Sequence, residues 1–195
     1  MTHPQSRGRL RHVATVLAVP LMIASLVAGA RSAAATTAAC QNWTGAQPPS
    51  PGTVSNELLG AAVLSSCDAW AVGDDVDGNG GRQTLTEHWN GSSWTVTPSP
   101  DPGSPDNALT SVRAVSASDV WAVGYYTDSG ADNKTLILHW NGSHWKQVPS
   151  PDPGGTGSDN DLFSVTATSR SNAWAVGEVF TSGKITTLIV RWNGR

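Results

Sequence analysis

One sequence pattern occurs three times along this 195-residue chain, and the repeat limits the possible folds more than any other feature. Its first block reads LLGAAVLSSCDAWAVG at residues 58–73, LTSVRAVSASDVWAVG at 109–124 and LFSVTATSRSNAWAVG at 162–177. A second block, TLTEHWNGSSWTV, TLILHWNGSHWKQV and TLIVRWNGR, follows each first block. Three tryptophan series recur with spacings of 51 to 53 residues: Trp43, Trp94 and Trp145; Trp70, Trp121 and Trp174; Trp89, Trp140 and Trp192. The chain therefore contains three copies of one structural unit.

The residue pattern within each unit predicts four β-strands. The first strand alternates small apolar residues, and the second, VWAVG, is apolar throughout, as is typical of a strand covered on both faces. The third strand places Leu136, Leu138 and Trp140 on one face. It ends at an Asn-Gly pair, which favours a type I′ hairpin turn. The fourth strand begins at Trp94 or Trp145 and ends at Pro-Ser-Pro, because proline has no N–H to donate.

The composition agrees with an all-β chain. Nine Trp, 20 Gly and 12 Pro accompany only 14% charged residues, which is typical of short strands joined by turns. Beyond residue 30, no segment carries apolar residues at the spacing of an amphipathic helix over three turns.

The motifs S-x-x-D-x-W-A-V-G and H-W-N-G-S-x-W resemble the blades of bacterial secreted kelch-like propellers, which are related to the central domain of galactose oxidase. The resemblance implies a β-propeller-like array of three four-stranded antiparallel blades, each about 51 residues long. The blades would lie at 54–98, 108–149 and 160–195, with 41–48 as a stray fourth strand. The smallest usual propeller has about four blades, so we expect an incomplete propeller or one that a second copy completes as a six-bladed homodimer.

The N-terminus predicts export. Arg7, Arg9 and Arg11 precede an apolar run at residues 13–30, which ends in Ala-Gly-Ala, so a secretory signal peptide is expected at 1–30, with cleavage as late as 39. Cleavage after residue 30 removes three arginines and leaves 9 basic against 15 acidic residues, changing the net charge from −3 to −6. That charge disfavours nucleic acid and anionic membranes as partners. The expected partner of the mature chain is an extracellular protein or carbohydrate.

Cys40 and Cys67 are the only two cysteines, and both lie in the exported part. An even number of cysteines in an oxidising compartment predicts a disulfide between them. The alternative is a lipid anchor on Cys40, although the preceding Thr-Ala-Ala lacks the usual leucine of a lipidation motif.

A metal hypothesis rests on the sequence DDVDGNGG. Asp75, Asp77 and Asn79 alternate on a glycine-rich turn and could give calcium three oxygen ligands. Gln83 stands where the similar loops of integrin-type propellers usually have a further aspartate. An ordinary solvated hairpin loop is the alternative, and no other cofactor is expected.

Glu87 departs from the repeat because Leu138 and Val190 occupy the equivalent positions. A buried carboxylate there would need Arg82 or a bound cation as its partner. The favoured interpretation is a position on an exposed rim.

The sequence offers no catalytic pair of nucleophile and base. His88 and His139 align with each other and with Arg191, which indicates strand-surface positions, and the repeated tryptophans indicate packing between blades rather than stacking on sugars. Galactose oxidase activity cannot be carried over, because its copper ligands have no matching set here. The sequence therefore predicts a secreted, non-catalytic binding or scaffold module for protein or glycan ligands. The alternatives are a glycan-acting propeller enzyme and a remnant of a longer propeller without independent activity.

Overall fold

The computed structural model describes Cys40 and residues 47–195, which belong to one unit of the chain, Thr37–Arg195. The predicted signal peptide and Trp43 of the stray strand lie outside the described residues. Every regular element in the described part is a β-strand, which confirms the all-β prediction. The same part of the chain contains no helix long and apolar enough to cross a bilayer.

Eleven strands form three antiparallel sheets, in which neighbouring strands follow chain order. The first sheet contains β1 (Ser55–Ser65), β2 (Asp68–Val76), β3 (Arg82–Trp89) and β4 (Trp94–Val96). The second contains β5 (Asn107–Ser116), β6 (Asp119–Thr127), β7 (Asn133–Trp140) and β8 (Trp145–Gln147). The third contains β9 (Ser158–Ser169), β10 (Asn172–Thr181) and β11 (Lys184–Trp192).

Among the described residues the third sheet has three strands. Most of the predicted stray fourth strand at 41–48 lies outside the described residues, so four strands are confirmed for the first two sheets and stay a prediction for the third. The fourth strands of the other sheets begin five residues after Trp89 and Trp140. Among the described strands, none pairs with the outer edge of β11.

Each sheet has two different faces, which we name after the W-A-V-G segment of its second strand. The Trp face carries the tryptophan and valine, and the Ala face carries the alanine, because side chains alternate along a strand. Trp70 and Val72, on the Trp face of the first sheet, pack in one cluster with Ala122 and Leu138 on the Ala face of the second. The junction between the second and third sheets repeats this arrangement.

At that second junction, the Trp face of the second sheet meets the Ala face of the third. Trp121 and Val123 pack in one cluster with Ala175 and Val190. The first strands of the units, β1, β5 and β9, are neighbours in the same order. The sheets therefore stack face on face along the chain, Trp face to Ala face.

The hairpin between the third and fourth strands forms as the sequence predicts, but its turn differs from type I′. In the loop from Asn141 to His144, Gly142 has a positive φ of 99° and Asn141 does not. The Asn141 side-chain oxygen instead accepts the backbone N–H groups of Ser143 and His144, at 3.0 and 3.1 Å. The asparagine thus closes a four-residue loop by side-chain hydrogen bonding, a role that this residue also favours in turns.

The linkers after the fourth strands are tied to the sheets rather than fully solvated. Asp101 accepts the backbone N–H of Thr84 at 2.7 Å, and Asp152 accepts that of Thr135 at the same distance. These bonds give partners to backbone N–H groups in the part of each third strand that the short fourth strand does not reach.

Candidate functional site

The Trp face of the third sheet is the largest departure from the repeat. Trp70 and Trp121 are each 1% exposed, whereas Trp174 is 42% exposed. Val176 and Ile189, which are paired across β10 and β11, are exposed by 45% and 64%. Because the sheets stack Trp face to Ala face, this face is the one at the end of the array with no described sheet against it.

The same face extends along the two strands. Phe180 and Ile185 pair with each other farther from the W-A-V-G segment, and both are exposed. The guanidinium carbon of Arg191 lies 5.1 Å from the centre of the Trp174 ring. We call this surface, formed by Trp174, Val176, Phe180, Ile185, Ile189 and Arg191, the third-sheet face. By alternation along β10, Glu178 lies on the same side between Val176 and Phe180. An apolar surface that also carries an arginine and a glutamate is suited to binding another molecule.

Two histidine–aspartate pairs occupy equivalent places in the first two sheets. His88 Nε2 lies 2.9 Å from Asp68 Oδ1, and His139 Nε2 lies 2.7 Å from Asp119 Oδ1. The repeat pattern predicts both histidines on the strand surface and does not reveal their acid partners. The available signal was the separation of 20 residues between histidine and aspartate in both units.

These pairs hold tryptophan rings in place. The His88 ring stacks on Trp70, with ring centroids 4.4 Å apart, and the His139 ring lies 4.3 Å from Trp121. Within the described part of the chain, neither imidazole has a hydrogen bond to a hydroxyl or thiol that it could activate. The two histidine–aspartate pairs therefore pack against buried tryptophan rings.

Glu87 is buried, so the expectation of an exposed rim is wrong. Its exposure is 0%, and neither carboxylate oxygen has a hydrogen-bond partner among the described residues. Arg82, one partner considered from the sequence, lies 3.3 Å from Asp74 instead. Burial raises the pKa of Glu87 to about 7, because loss of water disfavours the charged form. The sequence could not show this, since burial depends on what covers the strand.

The glycine-rich loop uses its central aspartate to close a turn. Asp77 Oδ1 accepts the backbone N–H groups of Asn79 at 2.8 Å and Gly81 at 3.2 Å. The equivalent loop of the second sheet has the same bonds to Asp128, where they lower the pKa of that carboxyl.

Asp75 lies nearby on β2 and is 9% exposed. Burial raises its pKa, and the charges of Asp101 and Asp77 add to the effect. In the part of the chain that the structure describes, no group of three His, Cys, Asp or Glu side chains is arranged to hold a metal ion. Calcium binding by Asp75, Asp77 and Asn79 therefore stays a prediction from the sequence.

The predicted disulfide is present. Cys40 and Cys67 are bonded, with their Cα atoms 5.3 Å apart. Cys67 lies in the turn between β1 and β2, where the other units have Ser118 and Ser171. The bond therefore fixes Cys40 to the first sheet at a position that serine fills elsewhere.

No family model matches this chain, and a search of curated proteins found no significant relative.

Proposed function

We propose that this chain is a secreted, non-catalytic binding or scaffold module, built as part of a β-propeller of the kelch-like type. The observation that carries the proposal is the exposed third-sheet face. Trp174 and Val176 are exposed by 42% and 45%, although their equivalents are almost fully buried in the other two units. Soluble proteins rarely leave a contiguous apolar surface of this kind without a binding role.

The stacking of the sheets supports the propeller assignment. Successive sheets pack face on face, and their first strands are neighbours, as they are around a propeller axis. Export is supported by the charged and apolar N-terminal segment and by the disulfide, because disulfides persist mainly in oxidising compartments.

A ligand for this face needs an apolar surface of its own. Trp174 with Arg191 beside it suits either a protein surface or the face of a sugar ring, since both can pack on an indole and hydrogen-bond to a guanidinium. The two His–Asp pairs do not favour the glycan-acting enzyme, since both histidine rings contact buried tryptophans.

The test compares the wild type with Trp174→Ala on the third-sheet face and with Val54→Ala, a control that is 68% exposed and precedes β1. Binding is measured to immobilised chitin, cellulose and peptidoglycan, and self-association by sedimentation equilibrium. We expect at least one interaction that Trp174→Ala weakens tenfold or more and Val54→Ala leaves unchanged. A wild type that releases reducing sugar and loses this activity in His139→Ala would overturn the proposal in favour of an enzyme. A wild type that binds none of these polysaccharides and does not self-associate would also overturn the proposal.

A further inference from the structure

We propose that the hairpin loop between β7 and β8 modifies itself. The backbone nitrogen of Gly142 attacks the side-chain amide of Asn141, ammonia leaves, and the asparagine becomes aspartate or isoaspartate. The inference goes beyond the proposed function, because it concerns a loop of the second sheet and not the third-sheet face. It follows from the hydrogen bonds around the Asn141 side chain and from a comparison with the equivalent loop of the first sheet.

The Asn141-Gly142 pair brings together the two groups that react. A backbone nitrogen that follows asparagine can bond to the side-chain carbonyl carbon and close a succinimide ring. Glycine is the least obstructive residue at this place, because it has no Cβ beside the attacking nitrogen. Gly142 has a φ of 99°, and Gly142, Ser143 and His144 are all exposed, so that water reaches the loop.

The side-chain oxygen of Asn141 is surrounded by donors. It accepts the backbone N–H of Ser143 at 3.0 Å, that of His144 at 3.1 Å and the Ser143 hydroxyl at 2.9 Å. Attack on the amide carbon places negative charge on this same oxygen. Donors that are already in position where charge develops stabilise the tetrahedral state. The bonds that close the loop therefore also favour the reaction.

His144 lies beside the nitrogen that must leave. Its Nε2 is 3.3 Å from Asn141 Nδ2, and its Nδ1 is 2.9 Å from the Ser143 hydroxyl. Because that hydroxyl donates its one proton to Asn141, imidazole Nδ1 donates to Ser143, and Nε2 faces the amide nitrogen. After the attack, the amide nitrogen becomes a basic amine, to which a protonated His144 can donate from Nε2.

The bonds that form and break balance with water as the co-reactant. The Gly142 nitrogen gives its proton to solvent and bonds to the side-chain carbon of Asn141. The electron pair that moved onto Oδ1 then returns to the carbon, and the bond from this carbon to Nδ2 breaks. His144 supplies the proton with which the nitrogen leaves as ammonia, and it regains a proton from solvent. Water opens the succinimide at either carbonyl, which gives aspartate or isoaspartate.

The first sheet contains a matched loop without the proton donor. Asn90 Oδ1 accepts the N–H groups of Ser92 and Ser93 at 3.0 and 3.1 Å, and the Ser92 hydroxyl at 2.7 Å. Gly91 has a φ of 92°, close to that of its equivalent in the second sheet. Ser93 stands where the second sheet has His144. The two loops share the donors to the asparagine oxygen and differ in the group beside the leaving nitrogen.

The modification would act on the junction between the first two sheets. Trp145 follows the loop directly, is 4% exposed, and has its ring centroid 5.2 Å from that of Trp70. An aspartate at position 141 keeps the loop closed, because a carboxylate oxygen accepts the same N–H groups. Isoaspartate adds a methylene to the backbone and displaces the acceptor, so the start of β8 loses these bonds.

The first experiment compares the two asparagines in the folded wild-type chain. The chain is incubated at neutral pH, and peptide mapping by mass spectrometry follows the change from amide to carboxyl at each site. We expect Asn141 to convert about tenfold faster than Asn90, a gain at the low end of general acid catalysis. Equal rates at the two sites would overturn the inference.

The second experiment exchanges the residues in which the loops differ. His144→Ser should lower the conversion of Asn141 to the rate of Asn90, and Ser93→His should raise the conversion of Asn90. Both positions are exposed, and each variant introduces the residue that the other loop carries. A rate at Asn141 that His144→Ser leaves unchanged would overturn the role of the histidine.

The same measurement in urea separates the folded loop from the local sequence. In the unfolded chain the hydrogen bonds of the loop are lost, and we expect Asn141 and Asn90 to convert at nearly equal rates. If the unfolded chain kept the full difference, the folded geometry would not be its cause, and the inference would fail. Melting of the separated products completes the test: the isoaspartate form should melt below the wild type, and Asn141→Asp should melt close to it.

Discussion

At the scale of single residues, Glu87 makes the clearest prediction about pH. Its pKa is raised by burial from 4.5 to about 7, so between these values the folded chain binds more protons than the unfolded chain. The free energy of unfolding therefore falls as pH rises through this window, by roughly 3 kcal/mol for a shift of about two and a half units. Glu87→Leu, which introduces the residue of the second sheet, should remove this loss and stabilise the chain most at pH 8. Urea unfolding of the wild type and of Glu87→Leu at pH 4 to 8 measures this pH dependence.

Glu57→Gln is the matched control, because Glu57 is an exposed acid on the same sheet. It should keep the wild-type pH dependence. If Glu87→Leu retained the full loss of stability between pH 4.5 and 7, Glu87 would not be its source.

Asp77 makes a second residue-scale prediction. Because its carboxylate accepts two backbone N–H groups within its own loop, Asp77→Ala should lower the melting temperature with or without calcium. The calcium hypothesis requires more, namely a rise of the wild-type melting temperature in millimolar calcium that Asp75→Ala abolishes. A wild-type melting curve indifferent to calcium would refute the calcium site.

At the scale of strands and sheets, the repeat was sufficient to predict the eleven described strands and their order. Three aligned copies fix the register, because a pattern such as W-A-V-G must serve the same strand in each unit. The same alignment could not show that Glu87 is buried or that Trp174 is exposed, since both depend on which sheets are neighbours. The missing fourth strand of the third sheet is a related case. It was expected from the stray match around Trp43, which lies outside the described residues.

The glycine at the end of W-A-V-G shows how closely the first two strands of a unit approach. A Cβ added at Gly124 would overlap the carbonyl oxygen of Ala108, and Gly73 and Gly177 meet the equivalent oxygens of Glu57 and Asp161. Gly124→Ala should therefore force β5 and β6 apart and lower the melting temperature markedly. Gly78→Ala is the control, because its nearest neighbour would be Thr53 Oγ1 at 3.5 Å, an ordinary contact. Equal melting temperatures for the two variants would contradict this explanation.

At the scale of the whole molecule, the fold is a stack whose stability depends on contacts between neighbouring sheets. Described sheets cover both faces of the second sheet, whereas they cover one face each of the first and third sheets. The specialised residues stand at these ends: Glu87 and the disulfide on the first sheet, Trp174 and Arg191 on the third. A repeat gives its inner units identical surroundings, so differences between units concentrate where the surroundings differ.

The disulfide gives the prediction that belongs to this scale. It joins residues separated by 27 positions, and closing a loop of that length reduces the entropy of the unfolded chain, which stabilises the fold by roughly 3 kcal/mol. Replacing Cys40 and Cys67 together by serine should lower the free energy of unfolding by about this amount. Serine is the suitable substitute, because Ser118 and Ser171 occupy the equivalent of position 67.

Urea unfolding of the variant, beside wild type with and without dithiothreitol, measures the effect. The reduced wild type should match the variant, and intact mass without reductant should show no free thiol in the oxidised chain. If the double variant were as stable as the oxidised wild type, the bond would not stabilise the first sheet.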